Sequence, residues 1–492
     1  MPSLLHHAGR CGFALALLLL AGCGGAKDAT VNVIAIGASD SPFESSARLS
    51  PAAQLVRGAT VEGLVGFDAQ GRIIPGLADR WIVTDDGQSY IFRLRDGTWG
   101  GGGAITSQGA RVALREAIAG LRGTPLALDL SGIDEIRVMA GRVIEIRLSR
   151  PNPNFLQLLA QPELGLRHKG HGAGPMRLTR EDRIARLDPL PPEVRGLPKV
   201  EGWGDSHRPV HFRALPAAAA VKLFNSGGAD VLLGGRIESF PLASSIGLSR
   251  GTIQIDPVTG LFGLLVVRPA GFLAAPENRE ALALAIDRDA LMVPFGVGGW
   301  NATTRLVSPG TDGDSGLIGE RWADLGMDQR RARAKERVDR WHAANPGTLR
   351  LRISLPEGRG ADMLFTRLRE DFERIGIEAL RVREGADADL RLLDAVARYS
   401  GAAWYLNQLS CQVQRGLCSS GADALLADAQ TATAPGERIR LLADAEAELT
   451  TANVFIPFGA PIRWSLVRGE AAGFAANRWG IHPLMPMAVR PK

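Results

Sequence analysis

The sequence is poor in cysteine and tyrosine, and it has no long apolar run. Of its 492 residues, four are cysteine and three are tyrosine, whereas 59 are glycine. A membrane-spanning helix needs about 20 consecutive apolar residues, and no segment reaches that length. Internal repeats are also absent. The body of the chain is therefore expected to fold in water as a globular, loop-rich protein.

Charge of one sign is not concentrated in any part of the sequence. The chain has 57 lysines and arginines against 52 aspartates and glutamates, and its hydrophobic content of 45% is ordinary for a globular protein. Because the basic residues are mostly arginine and are spread along the chain, no nucleic-acid partner is expected. The length is sufficient for two or three domains.

The N-terminal segment has the features of a lipoprotein signal peptide. Its apolar part, Phe13–Leu20, is about half as long as a membrane span, and it ends in small residues, as signal peptides do. The four residues that end at Cys23 match the bacterial lipobox. We predict a signal peptide at 1–22, acylation of Cys23 and a polar tether at 23–30. The alternative is an ordinary signal peptide in which this cysteine is accidental.

The lipobox match predicts where the protein lies. Several acyl chains hold a protein stably on a lipid bilayer, whereas one chain gives only marginal binding. The predicted location is therefore the periplasm, with a lipid anchor in a bacterial cell membrane. In such a compartment disulfides persist, and the two cysteines left in the body of the chain are Cys411 and Cys418. We predict that they form a disulfide; the alternative is a pair of reduced, buried thiols.

Local patterns indicate an α/β protein. Leu349–Ser354 and Ile377–Val382 have strand patterns and enclose a helical pattern at Ala361–Ile375, which predicts a β-α-β unit with parallel strands. Leu261–Val267 is fully apolar, as is typical of a strand inside a sheet. The segment from Trp81 to Leu94 predicts a hairpin that turns at Asp-Asp-Gly.

One stretch carries a family resemblance. It contains Pro75-Gly-Leu-Ala-Asp-Arg-Trp81, then Asp86-Gly-Gln-Ser-Tyr-Ile-Phe-Arg-Leu-Arg95, then Gly97-Thr-Trp99. In this order the segments resemble the solute-binding proteins of family 5, the oligopeptide- and dipeptide-binding type of ATP-binding-cassette (ABC) transporters. Weaker matches follow in the family's order to the C-terminus. They are Gly172–Pro175, Phe224–Asp230, Asn278–Arg288, Ile375–Ile377 and Arg438–Pro457.

The resemblance implies a two-lobed class II periplasmic-binding-protein fold of the α/β class with an additional inserted subdomain. Lobe 1 would comprise 31–256 with the insertion at about 45–162, and 461–492 would complete it. Lobe 2 would comprise 257–460, and the chain would cross between the lobes near Pro257 and Pro457. The implied function is capture of a peptide or similar small solute for an importer with inner-membrane permease subunits. No catalysis and no cofactor are expected.

The chain also departs from the family pattern in two places. Gly100–Gly103 stands where the family has a polar residue, aspartate and glycine, and 386–409 matches the ligand-facing segment of relatives poorly. The first departure motivates a second hypothesis, an envelope sensor or interaction lipoprotein that retains the fold without serving transport. Nickel or metal-complex binding is a third, because nickel binders occur in the resembled family.

Candidate ligand contacts come from the loops expected at the cleft. A small-molecule pocket combines aromatic walls with a few convergent polar groups. Two residues follow the first predicted strand, three lie where relatives have cleft residues, and one acidic residue is a candidate partner for a ligand ammonium. These candidates are Ser39 and Asp40, then Tyr399, Trp404 and Asn407, and finally Asp394.

Two other motifs, a G-x-S-x-G match and two histidine pairs, do not predict a catalytic or metal site. Gly247–Gly251 matches the G-x-S-x-G elbow of serine hydrolases around Ser249, but that motif requires a following helix, and the residues after it have a strand pattern. Neither catalytic residues nor an enzyme activity is therefore predicted. Histidine pairs are candidate metal ligands, but no third ligand lies near them in sequence, so no metal site is predicted. The pairs are His168 with His171, and His207 with His211.

Overall fold

The fold consists of two large β-sheets with their helices and a smaller inserted subdomain. The structure is a computed structural model that describes residues 30–244, 251–469 and 471–491. The predicted signal peptide, the predicted lipidation site Cys23 and Ser249 lie outside these described residues. Within them, no helix has both the length and the apolar character that crossing a bilayer requires.

The strands of the described chain are numbered in chain order. They are β1 Val31–Ile36, β2 Val65–Phe67, β3 Ile73–Pro75, β4 Ala78–Val83, β5 Ser89–Leu94, β6 Ile133–Ala140, β7 Val143–Leu148, β8 Met176–Glu181, β9 Ile184–Pro189, β10 Val210–Leu215, β11 Val231–Gly235, β12 Ile253–Ile255, β13 Gly260–Val266, β14 Arg350–Leu355, β15 Glu378–Arg383, β16 Leu390–Val396, β17 Phe455–Gly459 and β18 Trp464–Val467.

The α-helices of the same ranges are numbered likewise. They are α1 Pro51–Thr60, α2 Ser107–Gly120, α3 Pro125–Asp129, α4 Phe155–Leu159, α5 Trp203–Ser206, α6 Ala217–Asn225, α7 Phe240–Ser244, α8 Pro276–Ala285, α9 Arg288–Met292, α10 Met327–Ala344, α11 Arg359–Glu373, α12 Ala402–Asn407, α13 Ser420–Thr431, α14 Pro435–Thr451 and α15 Leu484–Met487.

The first lobe is built on a seven-stranded mixed sheet in the order β12-β18-β11-β1-β10-β9-β8. The apolar strand β1 lies inside it and pairs in parallel with β10 and β11. Strand β18 comes from near the C-terminus and pairs with β11 and β12. The last part of the chain therefore completes the sheet that the first part begins.

The second lobe contains a five-stranded sheet in the order β15-β14-β16-β13-β17. Strands β14 and β15 pair in parallel, so the predicted β-α-β unit around α11 is confirmed. The apolar strand β13 lies between β16 and β17, as its composition predicts. Pro457, near which the resemblance places one crossing between the lobes, is a residue of β17, and the chain leaves this strand after Gly459. An edge strand tolerates proline because its outer N–H groups have no ladder partner.

The inserted subdomain carries a four-stranded antiparallel sheet in the order β4-β5-β7-β6. The predicted hairpin of β4 and β5 is present, and Gly87 at its turn has a φ of +66°. In lobe 2, the segment from Asn278 to Met292 has apolar residues at helical spacing throughout, yet it is not one helix. It is divided into α8 and α9, because the carboxylate of Asp287 caps the N–H of Ala290 and starts a new helix.

Both large hydrophobic cores cross between these units. One core joins apolar side chains of the inserted subdomain, such as Leu126, to second-lobe side chains such as Trp404. Another joins Ile34 and Ile237 of the first lobe to Leu364 of the second. Because burial of apolar surface is the main favourable term in folding, these shared cores hold the lobes in a closed arrangement.

A buried ion pair within the second lobe predicts a large stability effect. Glu446 of α14 accepts a hydrogen bond from Arg305 (3.1 Å) and one from the N–H of Val307 (3.2 Å), and both charged side chains are at least 95% buried. Glu446→Ala leaves the N–H of Val307 and part of the Arg305 guanidinium unpaired, while Asp314 still binds Arg305 at 2.8 Å, so we expect a loss of about 1–3 kcal/mol in urea unfolding. The exposed Glu437→Ala in the first turn of the same helix is the control, with an expected loss below about 1 kcal/mol. Equal losses would contradict the prediction.

Candidate functional site

A seam between the inserted subdomain and the second lobe brings together polar side chains from distant parts of the sequence. Asp129 ends α3 of the subdomain. One of its carboxylate oxygens accepts hydrogen bonds from the hydroxyl of Tyr399 (2.9 Å) and the side-chain amide of Asn407 (2.7 Å), both in the second lobe. The seam is therefore held by a carboxylate on one side and two donors on the other.

Burial changes the protonation of this cluster. Desolvation raises the pKa of Asp129 to about 7, although the hydrogen bonds from Asn407 and Tyr399 and the charge of Arg398 act in the opposite direction. Burial also raises the pKa of Tyr399 well above its usual value. The phenol thus remains a hydrogen-bond donor at any ordinary pH, whereas the carboxyl titrates near neutrality.

Further polar contacts continue along the seam. Arg398 of the second lobe donates to the carboxylate of Glu163 at 2.7 Å, and the amide of Gln161 donates to the carbonyl of Arg398 at 3.1 Å. The amide of Asn154 donates to Asp312 at 3.1 Å. Each pair joins the first 165 residues to the second lobe, so separation of the units breaks all of them at once.

A cavity of about 350 Å³ opens at this seam. It is lined from the first lobe and subdomain by Arg48 and Glu163, and from the second lobe by Arg398, Trp404 and Arg415. The volume lies within the range of small-molecule sites, about 300–1,000 Å³. The arrangement offers one aromatic wall and several charged groups, which is the composition expected of a pocket for a polar solute.

A disulfide fixes one wall of this cavity. The structure joins Cys411 and Cys418, with their Cα atoms 5.2 Å apart. The short loop between them carries Arg415 towards the cavity. The N–H of Leu417 donates to the carbonyl of Val266 at 2.7 Å, which ties the same loop to the end of β13.

A larger cavity of about 710 Å³ lies beside the crossings between the lobes, and its charged lining is already paired. Glu320 accepts hydrogen bonds from the hydroxyls of Thr303 and Thr304, and Arg305 is bound by Glu446. Because these charged groups already bind partners within the protein, fewer of them are available to bind a solute. The cavity at the seam is therefore the better candidate site.

The structure brings three of the six predicted contact residues to the seam. Tyr399 and Asn407 bind Asp129, and Trp404, 2% exposed, lines the cavity. The remaining three predicted contact residues, Ser39, Asp40 and Asp394, lie away from the seam. Ser39 and the exposed Asp40 follow β1, and Asp40 forms an ion pair with Arg180 of β8 at 3.3 Å. Asp394 lies in β16 and accepts a 2.8 Å hydrogen bond from Arg463.

The candidate histidines lie in two separate places. His168 and His171 face each other across a tight turn, and His207 stacks on Trp203 with ring centroids 3.5 Å apart. His211 is a residue of β10. Among the described residues, no group of three or more histidine, cysteine, aspartate or glutamate side chains is arranged to hold a metal ion.

The glycine turn at Gly100–Gly103 packs against the turn of residues 168–172. The N–H of Gly100 donates to the carbonyl of Gly172 at 2.8 Å, and a Cβ on Gly101 would lie 2.4 Å from the ring of His171. The departure from the family pattern is thus an ordered turn of the subdomain, and none of its residues lines the cavity at the seam.

Comparison with known proteins defines the class. The fold is that of two-lobed periplasmic binding proteins: the structure matches Haemophilus influenzae OppA in complex with the peptide RPPGFSPFR with a TM-score of 0.79 and 16% identity, over 94% of this chain and 99% of the other. The unliganded open form of the murein tripeptide-binding protein MppA gives a TM-score of 0.61 at 17% identity, over 94% and 98% of the two chains.

The sequence comparisons are consistent with this class. Residues 72–185 match the model for bacterial extracellular solute-binding proteins, family 5 Middle. A probable di/tripeptide-binding protein of Pseudomonas aeruginosa is 22% identical over 477 residues, which cover 87% of this chain and 89% of the relative. The resemblance to family 5 solute-binding proteins, predicted from the sequence, is confirmed. These relatives are binding proteins and not enzymes.

Proposed function

We propose that this chain is an extracytoplasmic solute-binding lipoprotein that captures a peptide or similar small solute for an ABC importer. The observation that carries the proposal is the cavity of about 350 Å³, which is enclosed by the inserted subdomain on one side and the second lobe on the other. A site at such a junction suits closure of the lobes around a ligand. The names of relatives, which include di/tripeptide- and oligopeptide-binding proteins, support a peptide.

The remaining parts of the proposal rest on the N-terminal sequence and the family. Acylation of Cys23 would anchor the protein in a lipid bilayer, and the tether at 23–30 would leave the lobes free to move. Closure would then present a surface formed by both lobes to the permease subunits. Binding of a bare nickel ion has less support, because among the described residues no group of three or more histidine, cysteine, aspartate or glutamate side chains is arranged to hold one.

Thermal unfolding in the presence of candidate solutes tests the proposal. We expect pooled di- to nonapeptides to raise the melting temperature of the purified chain, because a ligand that binds only the folded state adds about 2.7 kcal/mol at 100 times its dissociation constant. Sugars, opines and nickel serve as comparison ligands. A rise with nickel alone would favour the metal alternative. No rise with any peptide pool would contradict the peptide proposal and favour the envelope sensor.

A further inference from the structure

We infer that the captured solute is acidic: it carries an anionic group besides the terminal carboxylate that every peptide has, and Arg48, Arg398 and Arg415 bind this group in the cavity at the seam. This inference deepens the proposed function and rests on it, because it names the chemical class of the solute. Three guanidinium groups line one cavity. Guanidinium is the side-chain group best suited to bidentate hydrogen bonding with a carboxylate or phosphate.

The cavity has an excess of positive charge. Its one carboxylate with an arginine partner is Glu163, which accepts a hydrogen bond from Arg398 and another from Gln54 at 3.0 Å. Within the described parts of the chain, neither Arg48 nor Arg415 has a carboxylate within salt-bridge distance. Arg415 donates instead to the side-chain carbonyl of Gln408 at 2.6 Å.

The second acidic residue at the cavity does not balance these charges. Asp129 also lines it, but burial raises the pKa of its carboxyl to about 7, which favours the neutral form over the charged one. The pKa of Arg415 is lowered by burial and then by the charges of Arg398 and Arg48. An anion between these side chains would remove that repulsion, since an opposite charge favours the charged form.

The position of the three arginines links anion binding to closure. Arg48 precedes α1 on the side of the first lobe, whereas Arg398 follows β16 and Arg415 lies in the disulfide loop of the second lobe. An anionic group bound by all three therefore bridges the two lobes. The apolar part of the lining, with Trp404 and Leu126, would contact the uncharged part of the solute.

Calorimetric titration of the purified full chain with four probes tests the inference. The probes are the peptides Glu-Glu-Glu, Ala-Ala-Ala and Lys-Lys-Lys, and citrate as an anion that is not a peptide. We expect Glu-Glu-Glu to bind more tightly than Lys-Lys-Lys by at least about tenfold, because hydrogen bonds to charged groups are the strong ones.

Variants assign the effect to the arginines. Arg415→Gln should weaken Glu-Glu-Glu binding by about ten- to hundredfold, the loss of a charge-assisted contact at a partly buried site. Arg48→Gln, at an exposed position, should weaken it by about two- to fivefold. Arg122→Gln is the control, because Arg122 is exposed like Arg48, lies in the inserted subdomain and does not line the cavity.

The outcomes distinguish the peptide-binding function from the inference that the solute is anionic. Tight binding of Glu-Glu-Glu that depends on Arg415 supports both the peptide function and the anionic solute. Equal binding of the three peptides, or an unchanged affinity in Arg415→Gln, overturns the anionic solute and leaves the peptide function standing. Binding of citrate alone, again dependent on Arg415, supports the anionic solute and contradicts the peptide function. Binding of none of the probes overturns the inference.

Discussion

Replacing Gly360 with alanine is expected to hold the lobes apart and to weaken solute binding by about ten- to hundredfold. Gly360 lies in the first turn of α11, which contacts Ile237 and Glu238 of the first lobe. A Cβ on Gly360 would lie 1.9 Å from the carbonyl oxygen of Ile237, so the closed arrangement cannot accept it without a shift. Forced overpacking of this kind costs about 1–3 kcal/mol.

The measurements are solute affinity by calorimetry and the radius of gyration by small-angle scattering. We expect the radius to increase in Gly360→Ala, while the second lobe itself remains folded, because alanine favours a helix more than glycine does. Gly436→Ala is a matched control: Gly436 is also the second residue of its helix, α14, and a Cβ there meets no atom within 4 Å. An unchanged affinity and radius in the Gly360 variant would show that this contact does not limit closure.

Closure is expected to depend on pH through Asp129. Its pKa is about 7 in the closed structure because of burial, whereas an exposed aspartate has a pKa near 3.8. The raised pKa means that closing takes up a proton. The ratio of closed to open molecules should therefore fall by up to about tenfold per pH unit as the pH rises from about 4 to about 7, and level off above that range.

Several charged or polar groups surround Asp129, and the experiment must distinguish the titration of Asp129 from their effects on closure. Tyr399 and Asn407 donate to it, Arg398 acts on its charge, and the adjacent small pocket holds Arg150, Arg438 and the carboxylate of Asp312. Glu238, at the other interface between the lobes, also has a raised pKa, because of burial and then the nearby charge of Asp394, and will contribute to the slope in the same direction.

Asp129→Asn tests the assignment, because the amide keeps an acceptor oxygen but does not titrate. We expect solute-free Asp129→Asn to remain closed at pH 7 and to retain only the smaller slope that Glu238 gives, measured by small-angle scattering between pH 4.5 and 8. Asp134→Asn, at an exposed position of the same subdomain, should follow the unmodified chain. A full slope in Asp129→Asn would exclude Asp129 as the titrating group.

Much of the fold follows from local signals in the sequence. The hairpin of β4 and β5 is indicated by a turn between alternating apolar residues, and the β14-α11-β15 unit by a change of apolar periodicity from two to 3.6 residues. The boundary between α8 and α9 is not indicated in this way. Apolar periodicity continues across it, and the side-chain cap of Asp287 decides where the second helix begins.

The site itself could be predicted only in part. Tyr399 and Asn407 lie in the segment where family resemblance indicates cleft residues, but their partner Asp129 is 270 residues from Tyr399 in the sequence and ends a short helix between leucines. Arg398 lies in the same segment, yet its role depends on Glu163, 235 residues away. Such pairings arise from the topology, and no local pattern carries them. The same applies to Asp394, whose arginine partner lies 69 residues further on.

For the proposed extracytoplasmic function, the loop closed by Cys411 and Cys418 would also determine when the protein can bind its solute. The loop presents Arg415 to the cavity, and the bond that closes it persists only in oxidising compartments, since cytosolic thiols are kept reduced. In a newly made chain that is still in the cytosol, the guanidinium of Arg415 would therefore not be held in place at the cavity. Competence for solute would be acquired after export, so that the chain does not sequester metabolites in the compartment where it is synthesised.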